Sequence, residues 1–303
     1  GVSEDELIKI AVRAMGLDDL APFDARKKII EYRMADGQAP RLPGLVLWLD
    51  ASQLVPANTR IARWSDGSAR GYVAQQKQAD RQPELLPRGL NGKPVARFCG
   101  RPWLEIPGTS QTLDLGTDYT IAYVARGVGG TLLSKGSGGK AGQFSLLSDS
   151  CFLTNGDVNS ATAGRLAATG DDPTQFRVRT IAADAASLTW YLDGTASGSY
   201  ADDRHEVRNK SVVRIGAPLF RSEREDARQL FVGDLAELLI YNRALPQEER
   251  EGVEAYLREK WLSGGEPAVP LDLAAPPAEP PPAPAPPAEP APAEPAPAEP
   301  APA

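Results

Sequence analysis

The spacing of hydrophobic and polar positions divides the chain into three zones. Between residues 45 and 245 apolar residues come in short bursts separated by turn-forming residues. The first are "LVLWLD" (45–50), "PVARFCG" (94–100), "YTIAYVARG" (119–127), "TLLSKG" (131–136) and "QFSLLSD" (143–149). "QFRVRTIA" (175–182), "LTWYLDG" (188–194), "VVRIGAP" (212–218) and "FVGDLAELLIY" (231–241) follow. Bursts this short, rich in β-branched and aromatic residues, predict strands. Asp193-Gly194 carries the signal of a tight hairpin turn. With no helical pattern between the bursts, the expected architecture is an antiparallel sandwich or barrel, not a βαβ sheet.

Both flanks have other periods. Ser3 and Glu6 stand at capping-box spacing ahead of Leu7, Ile10, Ala11 and Ala14, and Gly16 closes that helix. Asp24 caps a second short element, "ARKKIIEYRM", and "ADGQAPRLPG" (35–44) reads as a linker. After Tyr241 the chain passes through Asn242-Arg243-Ala244-Leu245 into a helix. Pro246 suits its first position, Glu248 and Glu249 suit the positive end of its dipole, and Gly264-Gly265 stops it. Val253, Tyr256, Leu257 and Trp261 fall on one stripe, expected to lie against the sandwich. Glu251, Glu254, Arg258 and Glu259 are assigned to the water side. Beyond Glu266 the chain is almost wholly Pro, Ala and Glu and cannot bury a core. Residues 267–303 are therefore expected to be an unpacked polyproline-II spacer; PxxP spacings occur in it, but without flanking Arg or Lys. The expected division is 1–40, 41–264 and 265–303.

Composition narrows the function. A formal charge of −7 gives no basic footprint for nucleic acid. No apolar run reaches the ~18 residues of a membrane span. Cys99 and Cys151 could form one disulfide or remain two buried thiols, and spacing alone leaves both readings open. CxxC and HExxH patterns are absent, so no zinc site is expected. No basic region followed by an apolar stretch opens the chain, so no signal peptide is expected; the lack of an initial Met suits a piece of a longer protein.

Candidate chemistry is sparse. Glycoside hydrolysis needs two carboxylates on one face of the site. Glu223 and Glu225 lie in a charged, loop-like run, while the spacing of Asp234 and Glu237 assigns them to opposite faces of a strand. His205, among acids, reads as a surface residue. Asp50, Asp66 and Asp193 could supply calcium oxygens, though no loop repeats the spacing that calcium sites use. Trp48, Trp190 and Tyr191 alternate with apolar residues and belong to the expected core. Trp64 and Trp103, beside turns, are the candidates for ligand binding by stacking on a sugar.

Two resemblances add to this reading. "RWSDGSARGYVAQQ", "LNGKPVARFCG", "RPWLEI", "LLSKG", "WYLDG", "VRIGAP" and "GDLAELLIYNRAL" resemble pieces of laminin-G-like jelly-roll domains, within the concanavalin A-like lectin/glucanase superfamily, over residues 42–262. The resemblance implies a mainly β, antiparallel jelly-roll β-sandwich whose last strand runs into a covering helix. Cys99 stands where family members often have Asp, so any loop or metal role of that Asp is absent here. "SEDELIKIAVRAMGLDDLAPFDARKKIIEYRM" (3–34) resembles the C-terminal end of the formiminotransferase domain of glutamate formimidoyltransferase. That family's catalytic histidine and most of its folate pocket lie upstream of this stretch. The resemblances imply a non-catalytic module for a glycan or protein ligand, fused to the end of such an enzyme. The alternative is a fragment of an enzyme moving a formimino group from N-formimino-L-glutamate to tetrahydrofolate; glycoside hydrolysis by the jelly roll itself is the third. No cofactor is expected on this chain; the folate chemistry of the suspected parent implies a cytoplasmic location, while the resemblance to laminin-G-like domains, many of which are exported, implies export as the alternative.

Overall fold

The computed structural model describes residues 41–271, apart from 56–58, 109–111, 114, 136–140, 149, 156–163, 168, 185, 202–210, 219–229 and 266. The expected N-terminal helices, His205, Glu223, Glu225 and the tail beyond Leu271 lie outside the described residues, as does the side chain of Cys151.

The first strands are β1 (Leu45–Asp50), β2 (Arg63–Ser65), β3 (Val73–Gln75), β4 (Glu84–Leu90), β5 (Lys93–Cys99), β6 (Leu104–Ile106), β7 (Tyr119–Gly129) and β8 (Thr131–Lys135). Then come β9 (Ala141–Leu147), β10 (Ser150–Asn155), β11 (Gly164–Ala167), β12 (Arg177–Ala183), β13 (Ser187–Leu192), β14 (Thr195–Ala201), β15 (Val213–Ile215) and β16 (Val232–Tyr241). Helix α1 (Gln247–Leu262) ends the series. Each predicted burst falls on a strand. Two eight-stranded sheets form, sheet A in the order β14-β13-β12-β7-β16-β5-β4, with β1 also on β16, and sheet B in the order β11-β10-β9-β8-β15-β6-β3-β2. The protein is a mainly β, antiparallel sandwich of jelly-roll type with one C-terminal helix.

The core lies between the sheets. Tyr119, Ile121 and Tyr123 of β7 point inward, and the Tyr119 ring meets Phe144 of β9 edge-on, with centroids 6.2 Å apart. The other face of β7 is equally buried, because α1 packs on β7 and β12 from outside. That double burial explains why β7 and β16 read as continuous apolar runs: central strands covered on both sides lose the alternation of a half-exposed strand. The small side chains of Thr120 and Ala122 let the helix approach. Asp193 and Gly194 both take positive φ, 49° and 90°, between paired Leu192 and Thr195, so the predicted hairpin turn is present.

The stripe Val253, Tyr256, Leu257 and Trp261 is buried as predicted, with Trp261 at 0% exposure. Two expectations are corrected here. Pro246 is the N-cap, one position ahead of the first helical residue. Glu254, assigned to water, is 1% exposed: it turns under the helix and accepts two 2.8 Å hydrogen bonds from Arg250, whose guanidinium stacks 3.8 Å from the Tyr191 ring centroid. The residue four positions on from a buried arginine shares its side of the helix. The tail boundary also moves. Residues 267–271 remain on the domain, where Ala268 packs against the core and the Val269 N–H donates to the Gly89 carbonyl. No described helix is long and apolar enough to cross a membrane.

Candidate ligand-binding face

The carboxylates of β16 are the most buried charges among the described residues, and a strand irregularity decides how they are used. Asp234 pairs with Arg126 and Glu237 with Val124 of β7, with a register shift between Leu235 and Glu237. The extra residue is a β-bulge, placed where the other neighbour of β16 changes from β5 to β1. Arg126 and Val124 share a face, so Asp234 and Glu237 share one too. The expected opposite-face arrangement is corrected: period-two counting fails across a bulge.

Sharing a face does not make them a catalytic pair. Asp234 accepts from Arg97 Nε at 2.8 Å and Nη2 at 3.0 Å, and from Arg126 Nε at 3.0 Å and Nη2 at 2.8 Å. Glu237 Oε1 accepts from Trp48 Nε1 (2.8 Å) and Tyr256 Oη (2.9 Å); Oε2 accepts from Trp261 Nε1 (2.6 Å) and Lys260 Nζ (2.8 Å). Lys260 also reaches Asp50 Oδ2 at 2.7 Å. Asp50 lies directly opposite Glu237 across the β1–β16 ladder, a like-charge pairing that needs a shared cation. Burial pushes the Glu237 carboxyl above its ordinary value; Lys260 pulls it back and Asp50 pushes it further up. The cluster fastens α1 to sheet A. It leaves no free acid or base.

The three Asp residues considered for calcium are likewise engaged. Asp66 accepts from the N–H groups of Trp48, Ser68 and Tyr72 and from the Ser68 hydroxyl, stapling a loop. Asp193 accepts from Arg177 and from the Val178 N–H. Asp50 accepts from Ser52 and Lys260. Among the described residues no group of three or more His, Cys, Asp or Glu side chains could hold a metal ion. Cys99 is a half-buried free thiol, pushed up by burial and by Glu84. A small cavity of about 150 Å³ opens at the start of α1, but its Arg250 wall is already held by Glu254 and Tyr191.

Of the two tryptophans singled out for ligand binding, Trp64 is corrected: at 1% exposure it belongs to the core and presents no face to a ligand. Trp103 is half-buried, and Arg214 stacks on it with the guanidinium 4.5 Å from the ring centroid. Arg214 belongs to a row that the pattern of bursts did not reveal. Ladder pairing sets Arg63 opposite Gln75, Gln75 opposite Glu105, Glu105 opposite Arg214, Arg214 opposite Ser134 and Ser134 opposite Ser145. Leu104, Ile106, Val213, Ile215, Leu133, Phe144 and Leu146 alternate with these positions and are buried inward. The polar row therefore lies on the side of sheet B away from the core; its Arg63, Gln75, Glu105 and Arg214 part is exposed or half-buried, while Ser134 and Ser145 are buried and Ser134 donates to the Ala217 carbonyl. Arg214 Nε donates to Glu105 Oε2 at 3.2 Å, and the two side chains keep 20% and 30% exposure. The signal for this row was in the sequence as single polar residues, one on each of several three-residue strands. Runs that short carry almost no period. The outer side of sheet A is covered by α1 over β7 and β12 and by residues 267–270 over β4 and β5, whereas the row on sheet B offers guanidinium, carboxylate, amide and indole groups together.

Comparison with known proteins bears on the fold and on the N-terminal segment. The family model described as "Formiminotransferase domain" matches residues 1–35. No curated protein matches the chain. Among solved structures, the binding domain of Paraclostridial Mosquitocidal Protein 1 matches with a TM-score of 0.50 and 15% identity, over 70% of this chain and 52% of that chain. The binding domain of Botulinum neurotoxin DC, solved in complex with rat synaptotagmin II, matches with a TM-score of 0.50 and 11% identity, over 71% and 52%. The matched part thus spans about half of each toxin domain, and at these identities the likeness shows a shared β-sandwich fold.

Proposed function

We propose that the sandwich is a non-catalytic binding module of the laminin-G-like jelly-roll class, taking a glycan or protein ligand on the outer face of sheet B. The observation that carries this reading is the Arg63–Gln75–Glu105–Arg214 row beside Trp103, opposite a sheet whose other face is covered by a helix. A fixed guanidinium–carboxylate pair beside an indole suits hydroxyl-rich ligands: the charged groups take directional hydrogen bonds and the ring contributes an apolar surface. The folds it resembles are named as binding domains, one of them bound to synaptotagmin, which supports the same class of role. The engagement of Asp234 and Glu237 by arginine, lysine and indole donors favours binding over hydrolysis. A glycan array, repeated on Trp103→Ala and Arg214→Ala, tests the reading. Glycan signal lost in both variants at unchanged melting midpoint supports it; no signal sends the search to protein partners by the same variants.

A second reading rests on the match of residues 1–35, which favours attachment of this module to a formiminotransferase. On that reading the transfer chemistry resides in residues of the parent upstream of Gly1. The chain is expected to show no turnover of N-formimino-L-glutamate with tetrahydrofolate. Turnover would overturn the module reading.

A further inference from the structure

Residues 267–270, beyond α1, are seated on a second polar cluster, on the outer face of sheet A. Asp234 receives both Arg97 and Arg126, so one carboxylate meets two guanidinium groups. Glu84 lies opposite Arg97 across the β4–β5 ladder, and both guanidinium groups turn their remaining donors to main-chain carbonyls. Arg97 Nη2 donates to the Pro270 carbonyl at 3.0 Å, and Arg126 Nη2 donates to the Val269 carbonyl. The Val269 N–H in turn donates to the Gly89 carbonyl at 3.1 Å. Arg126 is further fixed by stacking on Phe176, 4.5 Å from its ring centroid. Two rigid arginines and one β4 carbonyl thus read the backbone of the segment Pro267-Ala268-Val269-Pro270.

Side chains add a simple selection. Ala268 turns inward against the core, where a small residue fits, while Val269 points out with 38% exposure. Proline at 267 and 270 holds the segment extended and has no N–H to leave unpaired. The seated motif is therefore Pro-Ala-x-Pro, with x unread. The same motif recurs downstream as Pro-Ala-Glu-Pro at 277–280, 287–290, 292–295 and 297–300. Each copy differs from the seated one only at the outward position.

We propose that the Arg97–Asp234–Arg126 cluster is a receptor site for extended Pro-Ala-x-Pro segments, filled in cis by residues 267–270, and that the tail's Pro-Ala-Glu-Pro repeats are ligands for the same site on a second copy of the chain. The cis segment is tethered a few residues from its site and has the advantage of effective concentration. The repeats compete for the site when that segment is displaced, and several of them on one tail make the association multivalent.

Three full-length variants test this. Val269→Glu turns the seated segment into the repeat sequence; its melting midpoint and its resistance to proteolysis at 266–271 are expected to match those of the unmodified chain. Ala268→Asp unseats the segment, and a fluorescent peptide spanning residues 287–300 is expected to bind that variant about tenfold or more tighter than it binds the unmodified chain. Adding Arg126→Gln to Ala268→Asp is expected to abolish peptide binding. If Val269→Glu itself frees the segment, the outward position is read and the proposal fails. It fails equally if the peptide binds all chains alike or none. Should Ala268→Asp not fold, the Val269→Glu comparison decides alone.

Discussion

Glu237 shows how a single carboxylate can look chemical and be structural. It is fully buried, opposite another acid, and surrounded by two indole N–H groups, a phenol and one ammonium. Its carboxyl, raised by burial, holds a proton more tightly in the folded than in the unfolded chain. The sign follows from linkage: where the folded state binds more protons, stability falls as pH rises. The contribution of Glu237 is therefore fullest below the unfolded carboxyl value of about 4.3 and declines as pH climbs through the raised folded value. Glu237→Gln is expected to flatten that decline, and denaturant titrations at a series of pH values will show it. Glu254 is raised by burial as well and pulled back by Arg250. Its removal takes both short hydrogen bonds from a guanidinium that is almost wholly buried and leaves it the longer 3.8 Å ion pair to Glu251. Glu254→Ala is expected to cost roughly 3 kcal/mol, the low end for breaking a buried pair, because Tyr191 still covers Arg250. The water-side position first assigned to Glu254 calls for no more than about 0.5 kcal/mol, so one denaturant midpoint separates the two readings.

At the scale of elements, α1 closes sheet A through both kinds of contact. Trp261 fills apolar space and also donates its indole N–H to Glu237, so Trp261→Ala removes a large side chain and one donor to a buried carboxylate. A loss of roughly 3–5 kcal/mol is expected in urea titration. Long elements such as this helix and strands β7 and β16 were legible in the sequence because they hold their pattern over many residues. Strands β2, β3 and β6 were not: three residues cannot express a period, and none of them carries the β-branched run that made the equally short β15 visible in "VVRIGAP". Strand β4 was hidden for a different reason. Pro87 and Gly89 interrupt its pattern, although the Asn91-Gly92 turn that joins it to β5, with φ of 48° and 70°, was in plain view. The bulge in β16 carries no Gly or Pro at Ala236 to announce it, and it reversed the facing predicted for Glu237.

At the scale of the whole molecule, the two sheets differ in what covers their outer faces, and the proposed site follows that asymmetry. Trp103 was accessible to sequence reasoning as an aromatic beside a turn, and it does sit next to the polar row. Arg63, Gln75, Glu105 and Arg214 were not, because only the strand order β15-β6-β3-β2 brings residues so far apart in sequence into line. Such a row contributes little to folding: a partly exposed ion pair such as Arg214–Glu105 is worth ~0–1 kcal/mol. Ligand binding has a different sensitivity, since losing a charge-assisted hydrogen bond to a bound group costs ~1.5–3 kcal/mol, or about tenfold to a hundredfold in affinity. Arg214→Ala is therefore expected to unfold within about 1 kcal/mol of the unmodified chain while losing at least about tenfold in affinity for whatever ligand the array identifies. Trp261→Ala is the opposite control, because it weakens the far side of the sandwich without touching the row. Measured by isothermal titration and urea unfolding on the same samples, the two variants should separate cleanly. If Arg214→Ala loses stability as Trp261→Ala does and keeps its affinity, the polar row belongs to the scaffold and the ligand face lies elsewhere.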